Sequence, residues 1–200
     1  RQQKNVILAC PPLEMMLAVS DKVQLLQLAK KLGVPSPQTF YLQNAEDFAS
    51  VIEQIERYPV VVKPSQSRVK VGSQFISGSV CYASNRIELE KFYATNPVLQ
   101  YPSMIQEKII GPGTGLFTLY DKDRHLALFS HKRLREKPPS GGVSVVSESV
   151  PLDLEMVDAS DRLLSAVGFE GVAMVEFKRD LRDGKAKLME INGRFWGSLK

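Results

Sequence analysis

Two alternating segments, 172–178 and 186–192, separated by the turn-forming residues Arg182-Asp183-Gly184, constrain this chain more than any other feature. Alternation with period two puts Val172, Met174, Glu176 and Lys178 on one face of the first strand, and Ala173, Val175 and Phe177 on the other. In the second strand Leu188, Glu190 and Asn192 share a face opposite Met189 and Ile191. With Gly184 in the left-handed conformation of a short loop, Leu181 pairs with Lys185, and the same register sets Glu176 opposite Glu190. Two carboxylates then face each other on a largely apolar surface. At a separation of ~4 Å and an effective dielectric near 20, their repulsion is about 4 kcal/mol, so a positive charge must sit with them. Two sources satisfy this requirement equally well. One is a magnesium ion held by Glu176, Glu190 and the amide oxygen of Asn192, since magnesium takes oxygen ligands from one or two carboxylates together with substrate phosphates. The other is a lysine or arginine in a structural network, with Asn192 turning the chain.

The rest of the composition is that of a folded protein. Of 200 residues, 44% are hydrophobic and 24% charged, enough for one large or two small cores. No apolar run is long enough to span a bilayer or to act as a signal peptide, and the expectation is a soluble cytoplasmic protein without membrane partners. Cys10 and Cys81 lack the spacing of a zinc site or a disulfide framework and read as packing residues. The net charge of +4 is spread along the chain, with one short basic group at His131-Lys132-Arg133-Leu134-Arg135, and a small polyanion such as a nucleotide satisfies it as well as a nucleic acid does. His125 and His131 lack metal-ligand spacing and are assigned no chemistry.

A helix is predicted from an N-cap at Ser20 through Leu25, Leu28, Ala29 and Leu32 to Gly33, and a second from Asn44 to Arg57, stopped before Pro59. Val60-Val61-Val62-Lys63-Pro64 is a short buried strand, 65–73 a polar loop, and a further strand-like stretch reaches Tyr82 before a helix opening at Ser84. The strand Gln106-Glu107-Lys108-Ile109-Ile110 runs into a glycine-rich turn, and two strands then flank Asp121-Lys122-Asp123. The segment 138–142 is a flexible loop, and a last helix from Asp153 to Val167 ends at Gly168. Strands returning through both turns and helices indicate an α+β layered fold.

Together, Glu176 and the later Glu190-Ile191-Asn192-Gly193-Arg194 resemble the ATP-grasp superfamily, whose ligases carry a Glu on one strand and an acid-x-Asn-x-Arg motif on the next. Asp21-Lys22 opening a helix, Lys63 ending a valine-rich strand, the polar loop and Gln106-Glu107 follow in the family's order, so the resemblance extends from about Asp21 to Ser198. It implies an ATP-grasp fold in which two α+β subdomains grip the nucleotide between antiparallel sheets, one over 20–107 and one over 108–200. It also implies that 1–19 is the tail of an N-terminal domain missing from the chain and that the C-terminal subdomain is truncated. The implied cofactors are ATP and Mg2+, with Mn2+ as the alternative ion.

By the same resemblance, Lys22 and Lys63 contact phosphates, and Ser67 and Gly72 belong to the phosphate loop, which departs from the family's glycine-rich form. Gln106, Glu107, Lys108, Ile109 and Ile110 receive the adenine and ribose, and Glu176, Glu190 and Asn192 hold the metal. Arg133 and Arg194 grip the γ-phosphate or the carboxylate being activated. The implied activity is that of a carboxylate-amine ligase, or a carbamoyl-phosphate-synthase-like relative: a small carboxylate is activated as an acyl-phosphate and joined to an amine, with ADP released. A homodimer is compatible with this. The competing expectations are an ATP-grasp module that binds nucleotide in a regulatory or assembly role without ligase activity, and a basic nucleic-acid-binding protein. The costly carboxylate pair argues against the first, and the scattered basic residues against the second.

Overall fold

The computed structural model describes residues 10–65, 68–71, 74–121, 123–137 and 142–197. They form two compact units, Arg1–Ser36 with Ile110–Lys200, and Pro37–Ile109. The chain opens with α1 (Leu13–Ser20) and α2 (Lys22–Lys31). Because α1 runs through Ser20, the cap of α2 is Asp21 instead of the expected Ser20: its carboxylate accepts from the Gln24 amide at 3.0 Å. Leu25, Leu26 and Ala29 are the buried face of α2.

The smaller unit contains β1 (Thr39–Leu42), α3 (Phe48–Ile52), β2 (Val60–Pro64), β3 (Arg68–Val71), β4 (Gln74–Ser77), β5 (Cys81–Ala83), α4 (Arg86–Thr95) and β6 (Ser103–Glu107). Its main sheet has the order β1-β6-β2-β5, antiparallel throughout. The helix expected over 44–57 is a 3-10 turn, Ala45–Asp47, followed by the single short α3. Asn44 caps the turn by accepting from the Glu46 amide, and α3 ends at Ile52, short of the expected Arg57. The segment expected as a loop over 65–73 instead contributes β3, which pairs with β4 in the register Arg68↔Ser77 to Val71↔Gln74. Alternation in Arg68-Val69-Lys70-Val71 is a strand pattern that the polar composition masks. Ser67 and Gly72 lie outside the described residues. Asn85 caps α4 by accepting from the Glu88 amide, and Glu88 answers by accepting from the Ser84 amide. Val60, Val62, Leu89, Tyr93, Leu99 and Ile105 anchor the core of this unit.

The larger unit continues with β7 (Gly113–Asp121), β8 (Arg124–Lys137), β9 (Val143–Ser149), α5 (Leu154–Ala166), β10 (Gly171–Arg179) and β11 (Ala186–Asn192). These strands form an antiparallel sheet in the order β11-β10-β7-β8-β9. One face of the sheet packs Leu116, Tyr120, Ala173, Val175, Phe177, Leu188 and Ile191 against Leu25 and Ala29 of α2 and Met156, Leu163 and Leu164 of α5. Burying each such side chain stabilises the fold by roughly 1.5–3 kcal/mol. This is why residues 20–36, grouped by the sequence with 37–107, pack in the larger unit: the apolar stripe of α2 completes the core beneath β11, and the Leu188 amide donates to the Pro35 carbonyl at 2.8 Å. Among the described residues, no helix is long and apolar enough to cross a membrane.

Candidate ligand site on the open sheet face

Glu176 and Glu190 are directly paired across β10 and β11, as expected, but the chain reaches that register by a different route. Pairing ends at Arg179↔Ala186, so the connection is longer than the predicted one. Asp180 N donates to Lys185 O at 2.9 Å, and Gly184, with φ 71°, supplies the left-handed turn. This closure shifts the register by one residue, and a bulge at Met189 of β11, opposite the Glu176–Phe177 step of β10, shifts it back. The bulge also corrects the predicted faces. Leu188 is fully buried in the core beside Phe177, whereas Glu176, Glu190 and Asn192 occupy the opposite face of the sheet.

The carboxylates are compensated by two cations of the chain itself. Arg133, from β8, forms an ion pair with Glu176, donates to Glu136 Oε1 at 3.2 Å and reaches the Gly142 carbonyl at 3.4 Å. Lys22 Nζ lies 3.4 Å from Glu190 Oε2. Asn192 donates its amide nitrogen to Glu190 Oε1 at 3.1 Å, so its carbonyl oxygen is the end of the amide turned away from that carboxylate. Burial pushes the Glu176 carboxyl above the usual carboxylate range, more than the Arg133 charge pulls it back, and the Glu190 charge adds to the rise. Glu176 is therefore under-compensated even with its arginine in place. Two carboxylates and an amide oxygen are a hard oxygen set that fits magnesium or manganese. Among the described residues, no three His, Cys, Asp or Glu side chains gather as a metal site, and the set here is two carboxylates and an amide.

Gly115 and His131 extend the carboxylate row across β7 and β8: Glu176 pairs with Gly115, and Gly115 with His131. A Cβ at Gly115 would stand 2.9 Å from Phe117 Cζ and 3.4 Å from His131 Nε2, so glycine is what admits both rings. His131 is buried, its ring centroid 4.5 Å from that of Phe117, while Trp196 packs on Phe117 at 4.0 Å. Burial, and secondarily the Arg133 charge, holds the His131 imidazole below its ordinary value and keeps it neutral at pH 7. Nothing in the residue pattern signals this placement, which depends on β7 lying between β8 and β10. Arg194, expected beside the acids, is exposed and donates to the Phe195 carbonyl at 3.1 Å.

In the smaller unit, Lys63 donates to Gln106 Oε1 at 2.8 Å. Gln106, expected to face a base, is a buried residue bonded within the protein. Glu107 is tied to the start of the unit: its Oε1 accepts from the Gln38 amide at 2.9 Å and its own amide donates to the Gln38 carbonyl. Lys108 lies over the Tyr82 ring, 5.0 Å from its centroid, and its amide donates to the Pro59 carbonyl. Ile109 is buried and Ile110 exposed. A cavity of about 280 Å³ opens beside Gln106 and Glu107, lined also by Gln38, Phe40, Arg57 and Ile105.

Solved structures share this architecture. A Chryseobacterium gregarium RiPP-associated ATP-grasp ligase, in complex with ADP and a leader and core peptide, superposes with a TM-score of 0.67 over 91% of the chain at 15% identity. The chain has the ATP-grasp fold. D-Alanine–D-alanine ligase from Bacillus anthracis, complexed with ATP, matches 92% of the chain with a TM-score of 0.65 and 19% identity. L-amino acid ligase from Bacillus licheniformis matches 93% with a TM-score of 0.64 and 20% identity. The chain spans 54%, 59% and 43% of the lengths of these three ATP-grasp-like structures, respectively. No family model matches the sequence, and no curated protein does.

Proposed function

We propose that this ATP-grasp chain carries the nucleotide- and metal-binding machinery of an ATP-dependent ligase that activates a small carboxylate as an acyl-phosphate and joins it to an amine. The observation that carries this reading is the in-register pair Glu176–Glu190 with Asn192 on the same face, where the fold tolerates a buried, under-compensated carboxylate. A magnesium ion bound by these three residues would supply charge neutralisation for the transferring phosphoryl group. Lys22 and Arg133, resting on the two acids, are cations available to phosphate oxygens once the acids have another partner. Lys63 contributes a further phosphate contact from the smaller unit, and Glu107 to Ile110 are the base- and ribose-binding segment. Arg194, exposed on the segment after β11, is the group assigned to the substrate carboxylate. Resemblance to solved ligases that bind ATP, ADP or peptide substrates supports the class of reaction.

The test is ADP release from Mg-ATP by the full-length protein across a panel of carboxylates and amines. A ligase releases ADP only with the matching pair. Nucleotide binding without ADP release in any combination would favour the regulatory ATP-grasp module, and failure to bind any nucleotide would remove both.

A further inference from the structure

We infer that Thr39 and Gln106 form a directional hydrogen-bond relay that positions Lys63, so that both act on nucleotide affinity through the lysine. This rests on the assignment of Lys63 as a phosphate contact. Thr39 and Gln106 are register partners on β1 and β6, and Gln106 is paired with Val61, two residues from Lys63 on β2. Long side chains on one sheet face reach such diagonal neighbours. The Thr39 hydroxyl donates to the Pro37 carbonyl at 2.9 Å, and Gln106 Nε2 stands 3.0 Å from Thr39 Oγ1. A hydroxyl has one proton, and here the backbone carbonyl takes it, so toward Gln106 Thr39 can only accept. Gln106 must therefore present its NH2 group to Thr39 and its carbonyl oxygen to the other side, where Lys63 Nζ donates at 2.8 Å. The ammonium can only donate, so both ends demand the same amide orientation. Gln106 is 1% exposed, which leaves water little part in holding it. Without the Thr39 hydroxyl the buried Gln106 N–H group loses its acceptor, and the amide is held toward Lys63 from one end only.

The test compares Thr39→Val, which keeps the side-chain shape, with Thr39→Ser, which keeps the hydroxyl, in the intact chain. Proton-nitrogen NMR spectra should show the Lys63 ammonium protons protected from exchange in the parent and in Thr39→Ser, and less protected in Thr39→Val. Mg-ADP, titrated calorimetrically, should bind Thr39→Val about tenfold more weakly, the equivalent of one lost charge-assisted bond, and Thr39→Ser within about twofold of the parent. In a Lys63→Met background Thr39→Val should produce no further loss of affinity. Unchanged protection in Thr39→Val, or an equal affinity loss with and without Lys63, would overturn the relay. A parent that shows the ammonium protection but binds no Mg-ADP would keep the relay and overturn the nucleotide assignment.

Discussion

Replacing Arg133 with methionine isolates the central electrostatic feature of the larger unit. The substitution preserves the aliphatic stem and removes the charge that lies on Glu176, leaving Glu176 opposed to Glu190 without its paired cation. For side chains ~5 Å apart at an effective dielectric near 20, the exposed repulsion is about 3 kcal/mol. Breaking a buried ion pair by removing one partner costs about 3–5 kcal/mol. The low end applies here, because Arg133 and Glu176 retain 15% and 12% of their side-chain exposure. Lys22 and Glu190 are each 35% exposed, so their pair offsets little of the loss. Urea unfolding at pH 7 should therefore show a destabilisation of about 3 kcal/mol. The penalty belongs to an ionised Glu176, whose carboxyl burial already pushes upward. It should shrink as the pH is lowered toward 5, and Glu176→Gln in the same chain should recover most of it. If the acids also bind magnesium, the ion should stabilise Arg133→Met more than the parent. A cost below about 1 kcal/mol that does not change with pH would refute the compensation argument.

Glu190→Gln should abolish Mg-ATP turnover in the full-length protein while leaving the fold intact, and undiminished turnover would remove Glu190 from the metal set. Gly111→Ala should cost about 4 kcal/mol or more, measured by urea unfolding. Its new Cβ would lie 1.8 Å from the Arg179 carbonyl oxygen, at a φ of +157°. Burial holds both His125 and His131 below the ordinary value of 6.5, so as the pH falls through that value the unfolded chain takes up protons that the native protein refuses. Stability should fall between pH 7.5 and 5.5. A His125→Gln/His131→Gln double variant should lose less than the parent over the same window, and identical slopes would contradict the buried, neutral state of the two rings.

The site was legible in the sequence wherever its geometry is local. Period-two alternation and a turn glycine led to Glu176 opposite Glu190, a pairing the protein reaches because the bulge cancels a one-residue shift at the turn, and the helices at 22–31, 86–95 and 154–166 follow from caps and apolar spacing close to those expected. Local signals failed where two short-range effects compete. The polar composition of 65–73 hid the alternation of β3, and a bulge invisible in the residue types moved Leu188 to the other face. The carboxylate repulsion required a cation but left metal ion and side chain equally good, because the sequence holds no information on which strand lies beside β10. The order β11-β10-β7-β8-β9 brings Arg133 from β8 to Glu176, and the packing of α2 against β11 brings Lys22 to Glu190, so a side-chain cation stands at each acid. The sequence by itself thus determined most of the strands and, away from the bulge, which residues share a face, since side-chain direction follows from backbone periodicity. Only the tertiary structure decided the partners of those faces, including the Thr39-Gln106-Lys63 relay, because strand order and helix docking are chosen by the burial of apolar surface over the whole unit.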